Sequence, residues 1–262
     1  MRVVRVASLA VAGALLAASG LVAQNLTIGN TGPFQGNCLP FVCAGGGPIK
    51  YSQFQQIYAA SSFGPVPINI FGLYFFNRNQ GAQAGQLDGS TYQISLSTVP
   101  TTLAAFVAGQ TPIPVGVNNT SIFSGALGGP LNIGIALHFS FAPFLYDPSQ
   151  GNLLMNVNIS NFTTVPPTPN DGMDADNSGS CALMARVWVD HFQGQTGGGA
   201  QCGGSLITGF DVSPVTPPTV TPEPVTMALV GLGLTGLAGF SRRRGRRRLT
   251  SPPASFPRGT AS

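Results

Sequence analysis

Charge is what this chain has least of. Charged residues make up 8% of its 262 positions, with a single lysine, Lys50, and a single glutamate, Glu223. That scarcity weighs against several functions. Glycoside hydrolysis needs two carboxyl groups of unlike environment, and the one glutamate lies between prolines near the C-terminus. Asp147, Asp190 and Asp211 read as turn or outward strand positions and form no matched acid/base pair. There is no G-x-S-x-G elbow to hold a serine nucleophile, so His138 and His191 read as surface or strand-end histidines. There is no C-x-x-C pair, which argues against zinc. No period repeats along the chain, which removes solenoids.

The formal net charge of +4 belongs to the two ends. Arg2, Arg5 and the seven arginines from 242 to 258 take nine of the twelve basic residues, and 12 − 9 leaves Lys50, Arg78 and Arg186. Against seven aspartates and Glu223, the stretch between carries 3 − 8 = −5. Nucleic-acid binding needs clustered cations to neutralise phosphates, so this middle part is not a nucleic-acid binder.

With Glu and Lys nearly gone, the commonest helix formers are missing, while Gly, Pro, Ser, Thr, Asn and Gln abound. The expectation is an all-β fold with many turns, an antiparallel β-sandwich of jelly-roll kind over residues 24–211. Thr91–Ser97 alternates, with Tyr92, Ile94 and Leu96 on one face and Gln93, Ser95 and Ser97 on the other. Leu131–Phe139 and Asn152–Ser160 alternate too, and the Tyr146–Gly151 turn between them predicts a hairpin. In the first, Leu131, Ile133, Ile135, Leu137 and Phe139 point inward; in the second, Leu153, Met155, Val157 and Ile159. Further strands are expected at Ile49–Ala59, Ile68–Phe76, Thr120–Phe123, Ala182–Val189 and Leu206–Val212, and a helical turn at Thr102–Ala108. Gln24–Pro48 reads as an irregular arm.

Four cysteines, Cys38, Cys43, Cys181 and Cys202, permit three pairings. Local loop closure favours Cys38–Cys43 and Cys181–Cys202. Asp174, Asp176 and Ser178, followed by Gly179, match the first half of a calcium loop, in which oxygens on alternate residues wrap a hard cation. Its twelfth position is Ala185, where a bidentate glutamate is required, so an acidic surface loop is the competing reading. Tyr51, Tyr58 and Trp188 are of the type that stacks on sugars, though aromatics on strands more often fill a core.

The ends carry targeting information. Arg2 and Arg5 precede an apolar run, Val6–Ala18, and small residues follow, which is the pattern of a secretory signal peptide over residues 1–23. Residues 212–221 form a proline-rich stalk. Then come Pro222, Glu223 and Pro224, an uncharged run Val225–Phe240, and Arg242, Arg243, Arg244, Arg246, Arg247 and Arg248. Sixteen residues of helix span roughly 24 Å, a little short of the roughly 30 Å apolar core of a bilayer. Flanking arginines can snorkel to cover the difference. Arginines beside a span favour the cytoplasmic side, which leaves the rest of the chain outside the inner membrane. Residues 249–262, rich in Pro and Ser, read as a disordered tail.

This Pro-Glu-Pro, span and arginine order resembles the PEP-CTERM sorting signal of Gram-negative bacteria. The resemblance covers Thr221–Arg248, with Val225 where the family often has serine and fourteen residues beyond Arg248 where family members usually stop sooner. It implies a protein handled by an exosortase-type membrane enzyme, held briefly in the inner membrane and sorted to the cell surface or an exopolysaccharide matrix. The segments YDPSQGNLLMNVNI and SLITGFDVSP are similar to a β-rich domain common among such proteins, one without an assigned activity. The expectation is a non-enzymatic structural or adhesive protein, with carbohydrate binding, calcium-assisted or not, as the alternative and hydrolysis a third.

Overall fold

The computed structural model describes residues 24–30, 36–42, 49–78, 86–131, 133–162, 172–176, 178–192 and 195–215. The signal peptide, the sorting motif Pro222–Pro224, the Val225–Phe240 run, the arginine cluster and residues 249–262 lie outside them. No helix among the described residues is long and apolar enough to cross a membrane.

In chain order the strands are β1 (Gln24–Ile28), β2 (Gly36–Asn37), β3 (Ile49–Tyr58), β4 (Ile68–Asn77), β5 (Gln86–Val99), β6 (Thr120–Pro130), β7 (Gly134–Tyr146), β8 (Asn152–Ser160), β9 (Met173–Asp176), β10 (Met184–Phe192), β11 (Gln195–Gln201), β12 (Ser205–Leu206) and β13 (Thr208–Pro214). One short helix, α1 (Leu103–Gly109), follows β5. The Thr102 side chain caps it by accepting from the Ala105 amide, and Gln110, left-handed at φ 54°, ends it. The fold is all-β, and every strand pair is antiparallel.

A four-stranded sheet has the order β1-β13-β4-β7, and a six-stranded sheet the order β11-β10-β3-β8-β5-β6. A small third sheet joins β12, β9 and β2. The two large sheets share one core, sandwich-like. Phe54, Tyr92, Ile94, Leu96, Met155 and Val157 enter it from the six-stranded sheet, and Ile70, Leu73, Phe75 and Phe210 from the four-stranded one. Aromatic rings tie the layers together: Tyr58 meets Phe210 edge-on with centroids 5.1 Å apart, and Phe41 sits 5.1 Å from Phe75 and 5.4 Å from Tyr92. Each fully buried ring stabilises by about 1.5–3 kcal/mol, so this aromatic seam is a large part of what joins the sheets.

Alternation set these faces correctly for β5 and β8: Tyr92, Ile94, Leu96, Leu153, Met155, Val157 and Ile159 are all buried. The predicted hairpin is overturned. Among the described residues β7 pairs with β4 alone, and β8 pairs with β3 and β5, so the chain crosses from one sheet to the other at residues 147–151. There the Asp147 side chain accepts from the Ser149 amide, and Tyr146 Oη donates to the Gly151 carbonyl at 2.8 Å. Gly151 has φ 138°, and a Cβ there would stand 2.4 Å from the Val99 carbonyl oxygen, so only glycine fits the corner. Ile133 and Ile135 are exposed rather than inward, beside a register shift at Phe75/Phe76. Within the expected irregular arm, Gln24–Ile28 forms β1 against β13. The segment read as a calcium or acidic surface loop from Asp174 overlaps β9. β13 runs to Pro214, into the stretch read as the start of the stalk.

Candidate functional site

Successive strand residues point to opposite faces of a sheet, so polar residues two apart share a face. β3 places Gln53 and Gln55 this way, β5 Gln93 and Ser95, and β8 Asn156 and Asn158. Register then lines them up across strands. Gln53 pairs with Asn158, Asn158 with Gln93, and Gln93 with Ser124 of β6. The neighbouring rung is Gln55, Asn156, Ser95 and Ser121. The outer face of the six-stranded sheet therefore carries two adjacent rungs of amides and hydroxyls, with no ionisable group in either.

The floor of this face is fixed. Asn156 is 5% exposed, and its Oδ1 accepts from Gln53 Nε2 at 2.8 Å and Gln55 Nε2 at 3.0 Å. Gln55 is fully buried and clasps the backbone of Ile113: its Nε2 donates to the Ile113 carbonyl at 2.8 Å, and its Oε1 accepts the Ile113 amide at 2.8 Å. That clasp anchors the loop after α1. Farther along, Gly116 approaches β5 so closely that a Cβ there would be 2.0 Å from the Thr98 carbonyl oxygen. Asn118 completes the attachment, its Oδ1 accepting from the Thr98 amide at 2.8 Å.

The anchored segment Ile113–Val115 is a ridge shared by two grooves. On one side lies a polar groove of about 560 Å³ over the two rungs, in which Gln93, Asn119, Ser121, Ser124 and Asn158 are exposed. On the other lies a larger groove of about 920 Å³ where exposed Val115, Val117 and Leu145 gather with Pro114 and Pro143. Asp147 is its one carboxylate among the described residues, held below the usual range by the Ser149 hydroxyl and amide.

The residues singled out from sequence fall elsewhere. Asp174 and Asp176 are buried in β9, and Ser178 is exposed just beyond it. Asp174 pairs with the Arg78 guanidinium and also accepts the Arg78 amide. Asp176 accepts the amides of Asn30 and Ser178 at 3.0 and 2.9 Å. A cation already sits against Asp174 in the form of Arg78, and the carboxylates tie β9 to chain far away in sequence. No group of three or more His, Cys, Asp or Glu side chains stands ready for a metal among the described residues. Cys181 and Cys202 form a disulfide. Cys38 is disulfide-bonded; its expected partner Cys43 lies outside the described residues.

The parts of a catalytic triad are split between the sheets. His138 of β7 has Nε2 2.9 Å from Asp211 Oδ2, with Tyr74 edge-on at 5.7 Å, on the four-stranded sheet. His191 of β10 has Nε2 2.8 Å from Ser52 Oγ and Nδ1 3.2 Å from Thr196 Oγ1, on the six-stranded sheet. The first pair is a hydrogen-bonded histidine and carboxylate, with no serine hydrogen bond to His138 among the described residues. The second has a serine, but a hydroxyl where a carboxylate must stabilise an imidazolium. Tyr58 is core, its hydroxyl 2.8 Å from Thr208 Oγ1. Trp188 lies beneath the Arg186 guanidinium, 4.9 Å from its centroid, and burial lowers Arg186 to about 10. Tyr51 is half-buried near Asp190, with its pKa raised by burial.

The amides of the two rungs were missed in the sequence. The available signal was polar residues at i, i+2 on three strands, but adjacency needed the register. No protein-family model matches the chain, and neither a curated protein nor a solved structure matches it.

Proposed function

We propose that this chain is an exported, non-enzymatic protein with a structural or adhesive role at the cell surface or in an exopolysaccharide matrix. The observation that carries this reading is the order within Thr221–Arg248: Pro222-Glu223-Pro224, then the uncharged Val225–Phe240, then the arginines 242–244 and 246–248. An apolar run meeting six guanidinium groups sets an orientation with the arginines in the cytoplasm. An exosortase-type enzyme then acts near the Pro-Glu-Pro motif and the folded part is released outward. The disulfide Cys181–Cys202 suits an oxidising destination. The chain crosses between the two large sheets at β3–β4, β4–β5, β6–β7 and β7–β8, which favours a jelly-roll-like sandwich as the finer description.

The test is the mass of the mature protein from its native host, with cell fractionation. The expected chain lacks residues 1–23 and ends near Pro222–Pro224, outside the inner membrane. A chain still carrying Ser262 and resident in the inner membrane overturns the sorting. A reporter fused after Ser262 that is active in the periplasm overturns the orientation.

A further inference from the structure

We infer that the polar groove over the six-stranded sheet is a binding site for a neutral polysaccharide. The inference deepens the adhesive reading above by naming a site and a ligand class.

Three observations converge on that ligand. The first is charge. Among the described residues, none lining the groove is ionisable, so an anionic or cationic ligand would enter without a counter-charge from them. Phosphates, acidic peptides and uronate chains are disfavoured on that ground alone. The second is hydrogen-bonding type. A carboxamide carries two donors and an acceptor, and a serine hydroxyl one donor and two lone pairs. Sugar hydroxyls have the same dual character, so amide–hydroxyl rungs can satisfy them in either sense. Gln93, Asn158, Ser121 and Ser124 are exposed and positioned for this.

The third observation is shape and rigidity. Four neighbouring strands at about 4.8 Å spacing lay each rung out over roughly 14 Å, which suits a length of chain rather than one ring. The groove is open to solvent. Its floor is already ordered by Asn156 and Gln55, so binding does not have to freeze those amides. Ile113, Pro114 and Val115 form an apolar wall beside the rungs and can cover the apolar face of a sugar ring. Among the described residues no aromatic side chain lines the groove, so contact is by hydrogen bonding and this wall.

The experiment is affinity gel electrophoresis of the full chain in a non-glycosidic zwitterionic detergent. Gels are cast with dextran, amylose, galactomannan or mixed-linkage β-glucan, and with alginate and hyaluronan as anionic counterparts. The expected result is retardation by at least one neutral polymer and by neither anionic one. The double variant Gln93→Ala, Asn158→Ala is expected to weaken that retardation at least tenfold with an unchanged melting temperature. Asn158→Asp, which adds one charge to the rung, should weaken it too. Absence of retardation by every neutral polymer overturns the inference, as does equal or stronger binding of alginate. Wild-type binding by a correctly folded double variant overturns the site. None of these results depends on where the chain is sorted, so they stand apart from the fractionation test.

Discussion

Replacing Gln55 by leucine or by glutamate separates two consequences of burying one amide. Gln55 is fully buried and makes three hydrogen bonds: two with the Ile113 backbone and one to Asn156 Oδ1. Leucine removes all three while nearly keeping the volume. At a net ~0.5–1.5 kcal/mol per bond the loss is about 1.5–4.5 kcal/mol. Ile113 is only half-buried, so water can reach its amide and carbonyl once the loop loosens, and leucine gains from its own burial. The expected net cost is about 2 kcal/mol, a fall of roughly 4–8 °C in Tm for a folded part of this size. Glutamate keeps the acceptor for the Ile113 amide but sets a buried carboxylate against the Ile113 carbonyl and Asn156 Oδ1, both acceptors. That costs more, about 3–5 kcal/mol, and the deficit shrinks as pH falls, because a protonated carboxyl donates one bond back. Thermal melts at pH 7 and pH 4 measure both variants, and hydrogen exchange at the Ile113 amide reports the clasp directly. Glutamate milder than leucine at pH 7, or unchanged protection of the Ile113 amide in the leucine variant, would refute the reasoning.

Three further outcomes follow from the geometry. Changing both Cys181 and Cys202 to serine frees a loop with a sequence separation of 21, and denaturant titration should show a loss of about 3 kcal/mol on chain-entropy grounds. Gly116→Ala puts a methyl group 2.0 Å from the Thr98 carbonyl oxygen, so the loop must move off β5; a cost of about 1–3 kcal/mol and faster exchange of the Thr98 amide are expected. Burial raises the pKa of Tyr58, Tyr92 and Tyr146 above the ordinary 10.0, and the Asp88 carboxylate adds to the rise for Tyr92. The folded chain therefore holds its phenol protons more tightly than the unfolded one. The stability this brings is complete below pH 10 and falls as pH rises above it, so chemical unfolding at pH 11 should need less denaturant than at pH 9. Tyrosinate absorbance should jump at unfolding.

Faces were legible in the sequence, and partners were not. The alternation of Tyr92, Ile94 and Leu96 is a local property and survives folding unchanged. The hairpin between β7 and β8 failed because the same alternation and the same turn residues serve a corner between sheets. β11 was invisible for a different reason: Gly197, Gly198 and Gly199 show no side-chain period, and their strand exists because β10 lies beside it. Asp174 and Asp176 are close in sequence, but their partners Arg78 and Asn30 come from far off in it, so these contacts could not be read from the local pattern. The polar face of the six-stranded sheet depends on register in the same way. Gln53, Gln93, Ser124 and Asn158 lie on four strands spread between residues 53 and 158, and only the pairing makes them a row.

The last strand, β13, lies between β1 and β4. Any polypeptide leaves the ribosome with its N-terminal end first, so Gln24–Ile28 is made long before Thr208–Pro214, the segment it pairs with. Until that late segment arrives, β1 has no neighbour, β4 keeps one bare edge, and the cavity that Phe210 fills is open. Completion of this fold is thus deferred until Thr208–Pro214 has been made, and a chain interrupted anywhere upstream of Thr208 is left as an unsealed half-structure, a ready substrate for proteases.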